Sequence, residues 1–237
     1  MGHGKSTLAR LIAGIDKPTT GEILVDEINT KDRKQMLALR KKVGMILQNP
    51  ENQIIFNRVY DDIAFGMKNL GYGKEDIKKD ILECLKMVEM SEYINSDSYE
   101  LSLGQKQRIA IASVLAMNPK TIVFDEPTAM IDPQGKEKIY EILKNLNKQG
   151  YTIIYITNVV DEILLSDRII VLRDGILQKD FKKKDIINNV DLLLEQNLKI
   201  PTVLQMALEL KKNGINLELS EFSKSEFMSQ LLKEIQK

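Results

Sequence analysis

Apolar residues along the chain follow two different spacings. Short continuous apolar runs at 43–47, 121–124 and 151–157 predict buried parallel strands, and the last of these is expected to be fully buried. The alternating stretch 21–29 predicts a further strand in a small β region. Apolar residues three or four positions apart predict helices that begin before Leu8 and that cover 76–90, 109–117, 133–150, 201–212 and 225–235. Helices interleaved with short buried strands indicate an α/β fold with a parallel sheet.

Two of these helices have marked starts. Ser102, followed three positions later by Gln105, has the form of a capping box, so we expect a helix to begin after Ser102. Asp132 directly before Pro133 fits an N-cap residue followed by proline at the first helical position. Gly150 is a natural end for the second of these helices.

The segment Gly2 to Thr7 has the composition of the second half of a phosphate-binding loop. Glycines such as Gly2 and Gly4 let backbone N–H groups approach phosphate oxygens. Lys5 would reach the β- and γ-phosphates, and Ser6 would offer a hydroxyl to Mg²⁺. By itself this half-motif is a weak signal, which the later motifs strengthen.

Two carboxylates, Asp125 and Glu126, end the apolar run 121–124. A parallel strand delivers its carboxyl-terminal residues to the edge where α/β sheets bind ligands. The same pair is also common at the start of an ordinary loop. The pair therefore points to a site only in combination with other motifs.

Composition narrows the function classes. The 237 residues have room for one large or two small domains, and 43% of them are apolar. Lys plus Arg and Asp plus Glu both number 34, and this zero net charge argues against nucleic acid as a partner. The single cysteine, Cys84, excludes an internal disulfide and a cysteine zinc site, and its apolar surroundings predict burial. No apolar run approaches the eighteen residues of a membrane span.

Taken together, these motifs occur in a characteristic order: Gly4-Lys5-Ser6-Thr7, then Ser102-Leu-Gly104-Gln105, then Asp125-Glu126, then Asp132. This order resembles the Walker A, signature, Walker B and D-loop elements of ATP-binding cassette (ABC) ATPases. The resemblance implies a P-loop NTPase core with an inserted helical subdomain and a C-terminal helical extension. The expected division is a first part of the core at 1–49, the helical subdomain at 50–118, the second part of the core at 119–180 and the extension at 181–237.

The resemblance also implies roles for particular residues, with ATP and Mg²⁺ as cofactors. Catalytic roles fall to Glu126, which would polarise the attacking water, to Gln48 of the Q-loop, and to Asn158 at the switch position. The metal ligands it implies are Ser6, Gln48 and Asp125. The implied nucleotide-binding residues are Gly2, Gly4, Lys5, Ser6, Thr7, Ser102, Gly104, Gln105 and Asp132, of which Ser102 and its neighbours would act on the nucleotide of a second subunit.

A longer stretch resembles one branch of the family. Two segments are similar to the corresponding segments in ATPases of energy-coupling factor transporters and their cobalt-uptake relatives. They are Gln48-Asn-Pro-Glu-Asn-Gln53-Ile and Val59-Tyr-Asp-Asp-Ile-Ala-Phe-Gly66. This implies an importer subunit that powers uptake of a vitamin or of cobalt or nickel ions from the cytoplasmic face of the membrane. Its expected partners are a second ABC ATPase, in a homo- or heterodimer, a transmembrane coupling subunit and a substrate-binding membrane subunit.

The sequence departs from the family at three places. Leu103 stands where glycine is usual, so its side chain either crowds the phosphate or points away from it. Asn158 replaces the switch histidine and cannot carry a proton charge, which predicts weak hydrolysis. A full Walker A loop has a first glycine five positions before Gly4, whereas the sequence starts three positions before it. We therefore expect the family's first strands to be missing, either because this is a fragment or because the start codon is misplaced.

Two other functions compete with that of the importer ATPase. A degenerate subunit that supports a competent partner ATPase would also explain the three departures. A non-transport ABC protein acting on DNA or ribosomes is less favoured, because such proteins usually carry two cassettes or long inserts.

Overall fold

A computed structural model of the chain describes residues 3–235, without the side chains of 74–76. The chain divides into two compact units. The larger spans Ser6–Ile156, and the smaller runs from Thr157 onward together with the described residues up to Lys5. Within the described range, no helix combines the length and the apolar character that crossing a bilayer requires. The four-part division expected from the sequence stays a prediction.

The helices and strands follow one another in a mixed order. Up to residue 156 they are α1 (Lys5–Ile12), β1 (Leu24–Val25), β2 (Ile28–Asn29), α2 (Met36–Lys42), β3 (Val43–Ile46), α3 (Val59–Asn69), α4 (Lys74–Met87), α5 (Leu103–Leu115), β4 (Thr121–Asp125), α6 (Pro133–Lys148) and β5 (Thr152–Ile156). After it they are α7 (Val160–Ile163), β6 (Arg168–Arg173), β7 (Ile176–Lys182), α8 (Val190–Glu195), α9 (Thr202–Lys212) and α10 (Lys224–Ile235). Short 3-10 helices lie at Arg33–Gln35, Pro50–Asn52, Ser91–Tyr93, Ser98–Glu100 and Lys183–Asn189.

The three-stranded sheet of the larger unit is parallel, in the order β3-β4-β5, as the three apolar runs predict. The central strand β4 is the most buried, with Ile122, Val123 and Phe124 each at 0% exposure. The prediction that the third run is fully buried is wrong. Strand β5 is only partly covered, because within the described residues it pairs with β4 alone.

The alternating stretch 21–29 is a hairpin rather than a single strand. Strands β1 and β2 pair antiparallel across Asp26 and Glu27, whose φ angles are 45° and 67°. Two consecutive residues in the left-handed region form a tight turn whose twist suits a two-residue hairpin. The acidic pair lacks the glycine that usually signals such a turn, so the alternation alone suggested one continuous strand.

Helix α1 buries a different face from the one that its larger apolar residues suggest. Ala9 and Ala13 are buried in a cluster with Val43 and Val123 of the sheet, whereas Leu8 and Ile15 are 38% and 52% exposed. Small side chains allow a close approach between a helix and a sheet, which explains why the alanines face inward. The larger apolar residues Leu8 and Ile15 therefore lie away from this buried cluster.

The main core of the larger unit lies between the sheet and helices α3 to α6. Cys84 is buried there, as predicted, and so are the apolar residues that repeat along α6. Gly44 of β3 lets this strand lie directly against α5, since a Cβ atom added to it would lie 2.2 Å from Cγ1 of Val114. The sheet and α5 are therefore in direct contact.

The smaller unit has its own core. A two-stranded antiparallel hairpin, β6 and β7, turns at Asp174 and Gly175, both with positive φ. Helices α9 and α10 match the predicted helices 201–212 and 225–235 and pack with α8 around buried Leu204 and Phe227.

Candidate functional site

Ser6 and Asp125 are brought together although 119 positions separate them. The Ser6 hydroxyl, in the first turn of α1, donates a hydrogen bond of 2.9 Å to Oδ1 of Asp125, the last residue of β4. The parallel sheet delivers Asp125 to its carboxyl-terminal edge, which is the edge that the sequence predicts. Thr7 is exposed on the same helix, and Gly2 lies outside the described residues.

Gln48 and Glu126 meet at the same edge of the sheet. Nε2 of Gln48, two residues after β3, donates to Oε2 of Glu126 at 3.3 Å. Glu126 has a φ of 46°, a left-handed conformation that is uncommon for a residue with a side chain. Its backbone N–H donates to the carbonyl oxygen of Ile156 at 3.0 Å, which holds this conformation against the end of β5.

Arg10, on α1, forms an ion pair with Asp16, which lies beyond the end of the helix. Arg10 donates through Nε to Asp16 at 2.7 Å. This hydrogen bond is the largest cause that raises the pKa of Arg10, and the negative charge of Asp125 adds a smaller contribution in the same direction. The hydrogen bond from Arg10 likewise lowers the pKa of Asp16. Arg10 therefore lies within electrostatic range of Asp125 and is held in place by Asp16.

Helix α5 begins with the predicted capping box. The Ser102 hydroxyl accepts from the N–H of Gln105 at 3.3 Å, and the Gln105 side chain accepts from the N–H of Ser102 at 2.8 Å. Leu103 is half-buried and packs against the main core of the larger unit. This contact favours the second alternative from the sequence, that the Leu103 side chain points away from a bound phosphate.

Gly104 and Asp132 are neighbours. Asp132 caps α6 by accepting from the N–H of Gly135 at 3.0 Å, as its place before proline predicts. A Cβ atom added to Gly104 would lie 3.9 Å from Oδ2 of Asp132 and 3.6 Å from Cγ2 of Ile131. The first turn of α5 therefore packs directly on Ile131 and Asp132, just before α6.

In the smaller unit, Lys5 contacts Asn158. Its ammonium donates a 2.8 Å hydrogen bond to Oδ1 of Asn158. Gly4 has a φ of +84°, which glycine adopts without strain. His3, next to it, is paired with Asp174 in the turn between β6 and β7.

The oxygen atoms at the edge of the sheet suit a hard cation. Magnesium prefers oxygen ligands and is usually held by one or two carboxylates together with substrate phosphates. The hydroxyl of Ser6 and the carboxylate of Asp125 lie within hydrogen-bond distance of each other, so one ion could contact both. Among the described residues no group of three His, Cys, Asp or Glu is placed to hold a metal ion.

Three residues around the Q-loop were not identified from the sequence. Nζ of Lys106 lies 2.7 Å from Oε1 of Glu51, and Nε2 of Gln107 donates to the carbonyl oxygen of Leu47 at 3.3 Å. Glu51 and Lys106 are 55 positions apart, so only the fold brings their opposite charges together.

Comparison with known proteins gives one family and close relatives. A family model described as ABC transporter matches residues 1–129. The energy-coupling factor transporter ATP-binding protein EcfA1 of Caldanaerobacter subterraneus subsp. tengcongensis is 42% identical over 217 residues, which are 91% of this chain and 78% of that protein.

Two solved structures are similar to the fold. The structure of cbiO1 from Clostridium perfringens, described as part of the ABC transporter complex cbiONQ, gives a TM-score of 0.73 at 34% identity and covers 86% of this chain and 83% of its own. The ATP-binding cassette MJ0796, dimeric and in a post-hydrolysis state with ADP and Pi, gives 0.68 at 35% identity and covers 76% of this chain and 81% of its own.

Proposed function

Because the chain belongs to the ABC transporter family and is an ATPase of that family, we propose that it powers an energy-coupling factor importer. The cargo we propose is a vitamin or a transition-metal ion such as cobalt or nickel. Support comes from the extended stretch 48–66 and from the relatives, whose names refer to energy-coupling factor and cbiONQ transporters. The predicted family, fold class and enzyme class are confirmed.

The contact between Ser6 and Asp125 is the single observation that carries the proposed site. It joins the phosphate loop to the acidic end of β4 at 2.9 Å across 119 positions. A structural role for either residue alone would not require this pairing. A nucleotide phosphate at the start of α1 would also gain from the N-terminal end of the helix dipole.

The chain's residues can then be given roles in hydrolysis. Lys5, with Gly4 and the backbone around it, would bind the β- and γ-phosphates. Glu126 would accept a proton from the attacking water while the water oxygen bonds to the γ-phosphorus and the bond to the β-phosphate oxygen breaks. Gln48, which already donates to Glu126, would orient this carboxylate toward the water.

Magnesium would be held by Ser6 and Asp125, with Gln48 beside them. When bound, it would neutralise charge that develops on the phosphate oxygens. We propose that Asn158 contacts the γ-phosphate through its amide and that Thr7 contributes from the first turn of α1, beside Ser6.

The complete catalytic centre would need two ATPase subunits. The exposed hydroxyl of Ser102 stands at the start of α5, where helix N–H groups and dipole favour an anion. We propose that Ser102, Gly104 and Gln105 act on the nucleotide bound by the partner, and that Asp132 lies at the same interface. A transmembrane coupling subunit and a substrate-binding membrane subunit would complete the importer, and in that assembly the chain would lie peripherally at the cytoplasmic face.

The proposal is tested by removing the carboxylate of Glu126. Phosphate release is measured for the chain alone and for the chain with its paired ATPase, each with and without Glu126→Gln. We expect turnover to fall by about 10²-fold or more, because this change removes a group that acts only in the transition state. Glu137→Gln, on the exposed face of α6, is the matched control. Turnover that Glu126→Gln leaves intact would place catalysis on other residues.

A degenerate subunit is the second candidate, and one contact favours it. Oδ1 of Asn158 accepts a hydrogen bond from Lys5, the lysine proposed to bind phosphate. Unlike a histidine at the switch position, Asn158 cannot gain or lose a proton. In this case the partner ATPase would carry the competent site. This second function would be supported if the chain binds ATP but the ATP turnover of the assembled dimer depends only on the catalytic carboxylate of the partner.

A further inference from the structure

The loop that carries Gln48 is fastened to the first turns of α5 by two contacts. The ammonium of Lys106 lies 2.7 Å from Oε1 of Glu51, in the 3-10 helix Pro50–Asn52. Nε2 of Gln107, the next residue of α5, donates to the carbonyl oxygen of Leu47 at 3.3 Å. Contacts therefore lie on both sides of Gln48 along the chain.

This fastening is buried on its helix side. Lys106 is only 9% exposed, whereas the Glu51 side chain is 55% exposed. Most of the Lys106 side chain is covered by protein, so loss of the paired carboxylate would leave a partly buried charge without a partner, which is unfavourable. The Glu51–Lys106 pair therefore differs from the surface pair Lys138–Glu89, whose side chains are both at least half exposed.

Hydrogen bonds within the loop connect its residues to one another. Gln53 spans its base, accepting from the N–H of Leu47 at 3.0 Å and donating to the carbonyl oxygen of Met45 at 3.3 Å. Asn49 caps the 3-10 helix by accepting from the N–H of Glu51 at 3.0 Å. A displacement of Glu51 would therefore be passed to Gln48 rather than absorbed between them.

The two ends of the connection belong to different ATP sites in the dimer of the proposed function. Gln48 contacts Glu126 of its own chain. Lys106 follows the capping box directly, and its N–H donates to the carbonyl oxygen of Ser102 at 2.8 Å. Since Ser102 would act on the partner's nucleotide, this path runs within one chain from one site to the other.

One group on the path is not satisfied. Oε1 of Gln107 is fully buried and has no hydrogen-bond partner within the described part of the chain. Such a group carries a desolvation penalty, which a small shift of loop against helix would relieve if it brought in a donor. Among the residues that the structure describes, Gln107 is therefore held to the loop by its amide nitrogen alone.

We propose that Glu51, Lys106 and Gln107 are positioning residues that couple the two ATP sites. ATP at one site fixes Gln48, the ion pair transmits this position to α5, and Ser102 is thereby set for the nucleotide of the partner. ATP binding at one site consequently favours binding at the other. This inference rests on the proposed function, because it requires a dimer with shared sites.

The test measures cooperativity rather than activity alone. Equilibrium ATP binding is measured with the full chain assembled in its ATPase dimer, with Glu126→Gln present to prevent turnover. We expect binding to the second site to be about five-fold tighter or more than binding to the first, within the usual range of coupling between sites. Glu51→Gln and Lys106→Met should each make the two ATP affinities equal. Lys138→Met, the same substitution in a surface pair, should leave the difference between them unchanged.

A charge swap separates coupling from general damage. Glu51→Lys with Lys106→Glu rebuilds the pair in reverse, and we expect it to restore cooperativity at least in part. If Lys106→Met does not fold, Lys106→Arg, which keeps the charge, and Glu51→Gln, at a half-exposed position, provide the comparison. The inference would be overturned if the two sites of the unsubstituted dimer bind ATP independently. It would also be overturned if neither Glu51→Gln nor Lys106→Met changes the cooperativity. Failure of the proposed function is a different result, namely no ATP binding at all.

Discussion

Gly44→Ala is expected to force β3 and α5 apart. An added Cβ would lie 2.2 Å from Cγ1 of Val114 and 3.3 Å from Cγ of Pro119. Carbon atoms in contact prefer about 3.5–4.0 Å, so strand or helix must move by more than about 1 Å. Gly44 is two residues before the end of β3, and Gln48 follows two residues after that end. The strain would therefore be felt both in stability and at the site.

The magnitude follows from the packing. Forcing an extra methyl into a well-packed core typically costs about 1–3 kcal/mol. Val114→Ala removes the clashing methyl group, and it alone should cost about 1.6 kcal/mol at about 0.8 kcal/mol for each buried methylene equivalent. With both changes present, the new methyl occupies space that the valine leaves. We therefore expect the double variant to be less destabilised than the sum by at least about 1 kcal/mol.

Urea unfolding followed by far-UV circular dichroism measures this series, and phosphate release from the assembled ATPase provides the functional readout. Gly44→Ala should lower both the unfolding midpoint and the turnover, and adding Val114→Ala should recover part of each. Gly150→Ala is a control of the opposite kind, because nothing lies within 4 Å of its added Cβ and only its positive φ opposes the change. Wild-type stability for Gly44→Ala, or strict additivity in the double variant, would refute the close contact of β3 with α5.

Three further predictions concern single side chains. Asn158→His should raise the ATP turnover of the assembled ATPase, measured as phosphate release, because a protonated histidine would place a positive charge beside the γ-phosphate. Unchanged turnover would contradict the role given to this position. Ser102→Ala should lower the unfolding free energy by about 1 kcal/mol in urea titrations, while Ser102→Thr should lose less because it retains the cap; equal losses would contradict the cap. Burial raises the pKa of the Cys84 thiol to about 12 from its ordinary value of 9.0, so its stabilising contribution is complete below pH 9 and is lost as the pH rises toward 12. Alkylation at pH 9 should accordingly be slow in the folded protein and fast in urea, and equal rates would contradict the burial.

Local rules in the sequence were sufficient for much of the fold. The capping box at Ser102 and the N-cap at Asp132 lie where their residue types predict, because both depend on neighbours within three positions. The apolar runs gave the three parallel strands, since burial on both faces leaves little room for polar residues. The order of the motifs also gave the family, which the comparisons confirm.

Other features depend on contacts that no local pattern encodes. The inward face of α1 is set by how closely Ala9 approaches the sheet, which outweighs the greater hydrophobicity of Leu8. The turn at Asp26 and Glu27 uses residues that rarely adopt positive φ. The Glu51–Lys106 pair requires the Q-loop and α5 to be adjacent, and only the three-dimensional fold makes them so. The roles proposed for individual site residues stay predictions.

The backbone at Glu126 has a consequence for how this protein could change under selection. Holding a residue with a side chain at a φ of 46° costs on the order of 1–3 kcal/mol, whereas glycine or asparagine tolerates this region more easily. Replacement of Glu126 by either would therefore relieve strain and, in the proposed mechanism, remove the catalytic carboxylate. Directed evolution that selected for heat resistance alone would therefore tend to replace Glu126. The resulting variant would be more thermostable but would lack ATPase activity.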